Sequence, residues 1–127
     1  MVQGKSPIMT IKKTNPDFLN GVPELLILKL LDQKPMHGYD LVQAIKVSSD
    51  SRLEFGEGCV YPILHRLEAQ KFLASRRELV GGRSRIVYRI TKQGQRRLTE
   101  SWNAWKHVVE GVSAVLQGGE HGQPAVA

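Results

Sequence analysis

The 127-residue chain has a single cysteine, Cys59, so no disulfide can close within it and a disulfide-stapled scaffold is excluded. Its four histidines are scattered, and with one thiol they cannot assemble a closed zinc site of the Cys/His kind. No metal and no cofactor are expected. Long apolar runs are absent: none approaches the ~20 residues that span a bilayer, and no membrane association is expected. The stretch MVQGKSPIMTIKKTNPDF has basic residues without a continuous apolar core behind them, which argues against a secretory signal and for a cytoplasmic setting. Catalytic signatures are missing as well. There is no GxSxG, no GxxxxGK[ST], no HExxH and no pair of carboxylates spaced for acid and base work, and Gly56-Glu57-Gly58 alone is not a nucleotide fingerprint. The chain does not read as an enzyme.

What is present is an ordinary globular composition, 41% hydrophobic and 24% charged, with a net charge of +6. The length fits one domain. The charge is localised: residues 57–98 hold ten basic and three acidic side chains, a net of +7, while the rest of the chain nets −1. An excess confined to one third of a chain is expected of a phosphate-contacting surface more than of a uniformly solvated protein.

Residues 1–20 mix Gly, Pro, Lys and Asn-Pro-Asp without periodicity and are expected to form an N-terminal arm. From there Val22, Leu25, Leu26, Ile27, Leu28, Leu30 and Leu31 predict a helix that leaves only Glu24, Lys29 and Asp32 on a narrow polar stripe, so it needs cover on more than one side. Lys34-Pro35 ends it. Gly38 opens a second helix carrying Leu41, Val42 and Ile45, broken by Ser48-Ser49-Asp50-Ser51. A third is expected from near Gly58, with Pro62 in or near its first turn, Val60, Ile63, Leu64 and Leu67 on one face, and Tyr61, His65, Arg66 and Glu68 on the other. The period then changes from 3.6 to 2, predicting strands at 73–79 and 85–90 around Gly81-Gly82, a pair suited to a tight hairpin. Ile86, Tyr88 and Ile90 are expected to face one way, and Arg85, Val87 and Arg89 the other. Thr91 is a good N-cap for a last helix to about Gln117, and residues 118–127 are expected to be a disordered tail.

Three helices, a two-stranded β wing and a long C-terminal helix make a mainly α (α+β) winged helix-turn-helix plan. The expected division is a DNA-binding domain at 21–90 and a dimerisation helix at 91–117. On this plan the candidate DNA-contacting residues are Tyr61, His65 and Arg66 on the third helix and Arg76, Arg77, Arg83, Arg85 and Arg89 on the wing, arginine being suited to phosphate or guanine. Two of these have competing structural roles: Tyr61 can pack against the second helix, at Tyr39, and Arg66 can form an ion pair with a neighbouring helix. Gly38 and Tyr39 are read as architecture at the join of helices two and three, and His37 as a cap or backbone contact. In the last helix Leu98, Trp102, Trp105, Val109, Val112 and Leu116 alternate spacings of 4 and 3, a heptad seam. A small domain cannot cover it, so the same helix of a second copy, together with the apolar first helix, is the expected cover.

The strings PMHGYDL at 35–41, GCVYPILHRLE at 58–68 and YRIT at 88–91, with Gly94 after them, resemble the PadR family of transcriptional regulators, and the resemblance covers about residues 22–100. It implies a homodimeric repressor on pseudo-palindromic double-stranded operator DNA, released by an effector. Some PadR-like proteins hold planar drugs between tryptophans of the last helix, and the ESW at 100–102 is similar. Trp102 and Trp105 are therefore candidates for a planar small-molecule effector as well as for dimer core. Cys59 stands where the family more often has Ser or Thr; beside a helix N-terminus and a basic surface it is weighed as a thiol of lowered pKa against a plain packing residue. A different function, a winged-helix module that docks an acidic protein or RNA without reading an operator, fits the same charge and stays open at this point.

Overall fold

A computed structural model of the chain describes residues 21–118. The expected arm at 1–20, and the expected tail apart from Gly118, lie outside the described residues. The elements run α1 (Gly21–Gln33), β1 (Met36–His37), α2 (Gly38–Ser48), α3 (Glu57–Ala69), β2 (Leu73–Val80), β3 (Arg83–Ile90) and α4 (Lys92–Leu116). This is the mainly α winged-helix arrangement. The core gathers Ile27, Leu28 and Leu31 of α1, Leu41 and Ile45 of α2, Val60, Leu64 and Leu67 of α3, and Leu73 and Tyr88 of the sheet. In α2 and α3 these positions recur at three- and four-residue spacing, so each helix turns one stripe inward.

Three details depart from the sequence reading. First, the sheet has three strands in the order β1-β3-β2, all antiparallel, not two. Met36 and His37 pair with Tyr88 and Val87, which closes the second edge of β3 and buries Val87, expected to face outward with the arginines. Second, α1 finds most of its cover within one chain: Leu25, Ile27, Leu28, Leu30 and Leu31 are all buried, and only Val22 and Leu26 of its apolar residues are half-buried. Glu24, expected on the polar stripe, is buried too. Third, α3 starts at Glu57, one residue before Gly58, so Pro62 is its sixth residue, just past the first turn; lacking an N–H, it costs the helix one backbone bond.

The punctuation holds where the residues demanded it. Gly81 and Gly82 sit at φ +59° and +81° between β2 and β3, a left-handed pair that a Cβ would strain. Thr91 caps α4, its Oγ1 accepting from the Gly94 amide at 3.0 Å and donating to the Lys71 carbonyl at 2.8 Å. Beyond that cap α4 runs 25 residues, roughly 37 Å at 1.5 Å per residue, and only its first turns lie on the body of the domain.

Candidate nucleic-acid interface

Cross-strand partners in an antiparallel ladder share a face, so the register fixes which wing side chains act together. Arg76, Arg83, Arg85 and Arg89 fall on one face with Glu78, Val80 and Val87; Arg77 falls on the other with Ser84, Ile86 and Tyr88. The arginines therefore occupy both faces, four to one. Arg76 is held by Glu78 on its own strand, with Nε 3.0 Å from the carboxylate. Arg77 donates to Ser84 Oγ at 3.1 Å. Among the described residues no carboxylate pairs with Arg83, Arg85 or Arg89.

An open cleft of about 670 Å3 lies where α2, α3 and the wing meet, lined by His37, Gly38, Tyr39, Asp40, Tyr61, His65, Arg83, Arg85, Ile86 and Tyr88. It unites Tyr61 and His65 with Arg83 and Arg85, side chains drawn from elements separated by a core helix turn and a hairpin. Tyr61 reaches this place because residue 38 is glycine: a Cβ there would collide with the Tyr61 ring. The tyrosine that fills the join of α2 and α3 is thus Tyr61, while Tyr39, expected to fill it, is 53% exposed on the cleft wall. Burial, with Glu68 and Tyr61 nearby, pushes the Tyr88 phenol up, so it stays a neutral donor at the cleft floor. Glu68 also accepts from Ser75 Oγ at 2.6 Å, tying α3 to β2 and hence to the wing. The Arg83 and Arg85 guanidiniums, the Tyr61 phenol and the His65 imidazole line this open space with one opposing carboxylate, Asp40, a set whose donors suit an anion that spans several of them.

Arg66 does not line this cleft. Its Nη1 donates to Glu24 Oε1 at 3.1 Å and it leans on Gln70 of its own helix. Glu24 accepts a second arginine, Arg97 of α4, at 2.8 Å through Oε2. Burial alone would push the Glu24 carboxyl up; the hydrogen bonds and charges of Arg97 and Arg66 outweigh it and hold the group below the usual carboxylate range. The carboxylate thus ties α1, α3 and α4 together, and Arg97 also lies over the Phe72 ring at 5.2 Å. Neither Glu24 nor Arg97 stood out in the sequence. The available signal was an acid in the first turn of an apolar helix, and its partners are 42 and 73 residues away. The Cys59 thiol is pushed up by burial, against the reading of a lowered pKa, because its surroundings are the core and not the arginines.

The seam of α4 divides. Leu98 packs on the core of its own chain, whereas Trp102, Trp105, Val109, Val112 and Leu116 are between 41% and 79% exposed. Both tryptophans line a groove of about 480 Å3 against Val22, Leu25, Leu26, Leu53 and Leu98, with Lys29, Asp32 and Thr99 at its margin. Among the described residues no group of three or more metal-ligating side chains occurs, and no helix is long and apolar enough to cross a membrane.

The family model described as the transcriptional regulator PadR-like family matches residues 27–100. The chain is 35% identical over 105 residues to the transcriptional regulator Rv3488 of Mycobacterium tuberculosis, a span of 83% of this chain and 92% of that protein. Among solved structures, a PadR family transcriptional regulator from Eggerthella lenta is similar at 32% identity with a TM-score of 0.68, covering 80% of this chain and 87% of the other. A PadR-like regulator from Bacillus cereus matches at 29% identity and TM-score 0.68, covering 80% and 97%. With the arginine wing, the α2–α3 pair and the long final helix in place, the chain belongs to the PadR-like family of transcriptional regulators.

Proposed function

We propose that the protein is a cytoplasmic homodimeric repressor that binds a pseudo-palindromic double-stranded operator and leaves it when an effector changes the dimer. The observation that carries this reading is the cleft in which Tyr61 and His65 of α3 meet Arg83 and Arg85 of the wing. An α3 seated in the major groove presents the first pair to bases and phosphates, and the wing then lies along the adjacent backbone. Arg89 and Arg77 extend the basic surface, while Arg66 and Arg76 act chiefly through their carboxylates. Residues 21–90 serve as the DNA-binding domain and 91–117 as the dimerisation helix. The dimer is supported by the apolar seam of α4, whose Val109, Val112 and Leu116 are 41%, 52% and 79% exposed, and which a second copy of the helix matches by symmetry. The groove at Trp102 and Trp105 suits a planar apolar effector, since indole faces stack on aromatic rings.

Selection of duplexes from a randomised library, followed by footprinting, tests the reading. The expected result is a palindrome with half-sites about 10 base pairs apart, centre to centre. Equal binding to all duplexes, or preference for single-stranded RNA, would overturn it.

A further inference from the structure

His37 ends β1 and opens α2, and its imidazole Nε2 lies close to two neighbours. Arg85 Nη1 of the wing lies 2.7 Å away and Asp40 Oδ2 of α2 lies 3.2 Å away. A guanidinium only donates and a carboxylate only accepts. For the 2.7 Å contact to be a hydrogen bond, Arg85 must donate, Nε2 must accept and the ring hydrogen must sit on Nδ1, and in that tautomer Nε2 does not donate to Asp40. Asp40 Oδ2 lies beside the same ring nitrogen and lines the same cleft. The backbone makes the meeting repeatable: His37 pairs with Val87, two residues from Arg85 and on its face. The imidazole is 16% exposed, which keeps water from taking its place, and both side chains border the cleft that holds Tyr61 and His65.

We propose that His37 is a positioning residue for DNA binding: it holds the Arg85 guanidinium at the cleft rim, spending one N–H on the imidazole and leaving the others for phosphate. The proposal rests on the operator-binding reading above. A wing arginine on a hairpin tip is otherwise free to rotate, and ordering it on binding weakens affinity; an arginine ordered beforehand escapes that loss. His37, read from the sequence as a cap or backbone contact, is the N-cap residue of α2 and pairs through its backbone with Val87, but its side chain makes no capping bond; its side-chain neighbour Arg85 lies 48 residues on.

The experiment uses the full chain and a duplex that the wild-type protein selects from a randomised library, with Kd measured for His37→Leu, His37→Gln, Arg85→Ala and the His37→Leu/Arg85→Ala pair. His37→Leu is expected to weaken binding about threefold to tenfold, and His37→Gln to stay within about twofold of wild type because its amide oxygen still accepts from Arg85. The double variant should bind no worse than Arg85→Ala alone. Equal losses from His37→Leu in the presence and absence of Arg85 overturn the proposal, as does a His37→Gln variant as weak as His37→Leu. A second measurement needs neither DNA nor a variant at position 37: imidazole 15N resonances of the free protein should report an Nδ1–H ring, and Arg85→Ala should move the Nε2 signal. An unmoved signal overturns the proposal. A moved signal with Arg85→Ala binding DNA like wild type leaves the contact but removes its role, and then it is the operator reading of the wing that has failed.

Discussion

Replacing Glu24 by Gln removes one charge from a place where three elements meet, and the cost follows from the geometry. The carboxylate side chain is 9% exposed and receives Arg97 at 2.8 Å and Arg66 at 3.1 Å. Breaking a buried ion pair from one side typically costs about 3–5 kcal/mol, because the surviving charge is stranded. Here the survivors are not stranded: Arg97 and Arg66 are 38% and 42% exposed and can turn towards water, so screening lowers the figure. The glutamine oxygen also keeps one acceptor. A loss of about 2 kcal/mol at neutral pH is expected, read from urea midpoints at fixed protein concentration. The sign with pH follows from the depressed Glu24 carboxyl. A carboxyl held lower in the folded than in the unfolded state stabilises fully above its unfolded pKa, and the contribution fades as pH falls through the folded value. The gap between wild type and Glu24→Gln should therefore be constant near neutrality and shrink only below the ordinary carboxylate range. A variant as stable as wild type at neutral pH, or a gap that does not narrow in acid, is incompatible with a Glu24 carboxylate that bridges Arg66 and Arg97.

Other consequences are as direct. Gly38→Ala places a methyl into the Tyr61 ring; a loss of about 1–3 kcal/mol is expected from overpacking, with weaker DNA binding as Tyr61 is displaced, and a variant unchanged in both contradicts the close approach. Val109→Glu with Val112→Glu changes side chains 41% and 52% exposed in one chain, so helix content per chain should survive where the fold does, while sedimentation shows loss of the dimer; an intact dimer means the seam lies elsewhere. Planar dyes should quench tryptophan fluorescence at one per dimer and lower operator affinity together, by reciprocal coupling, and quenching without loss of affinity would reduce Trp102 and Trp105 to core.

The parts legible in the sequence are those governed by neighbours. The stripe Val60, Leu64 and Leu67 announced α3, Gly81-Gly82 announced the hairpin, and Thr91 announced α4 through a capping bond that the structure contains. A two-residue strand has no period to detect, so β1 was invisible until β3 supplied its partner. The same holds for the polar contacts: Glu24 meets Arg97 across 73 residues and His37 meets Arg85 across 48, and no local spacing encodes either. Val87 looked like an outward residue by alternation alone and is buried, with the side chains of its cross-strand partners His37 and Arg76 on the same face. The α1 helix looked in need of a second subunit because its apolar residues surround it; the bend of one chain around it already supplies most of the cover.

The central claim is that the basic third of the chain is a DNA-contacting surface, and a salt titration of binding to a library-selected duplex tests it most directly. Each phosphate neutralised contributes about −0.9 to the slope of log K against log salt. If Arg83, Arg85 and Arg89 of both protomers in a dimer contact phosphate, the slope should be about −5, and Arg83→Ala with Arg85→Ala should flatten it while weakening selected and random duplexes alike. A slope near zero, or one that the double replacement leaves unchanged, would contradict the account.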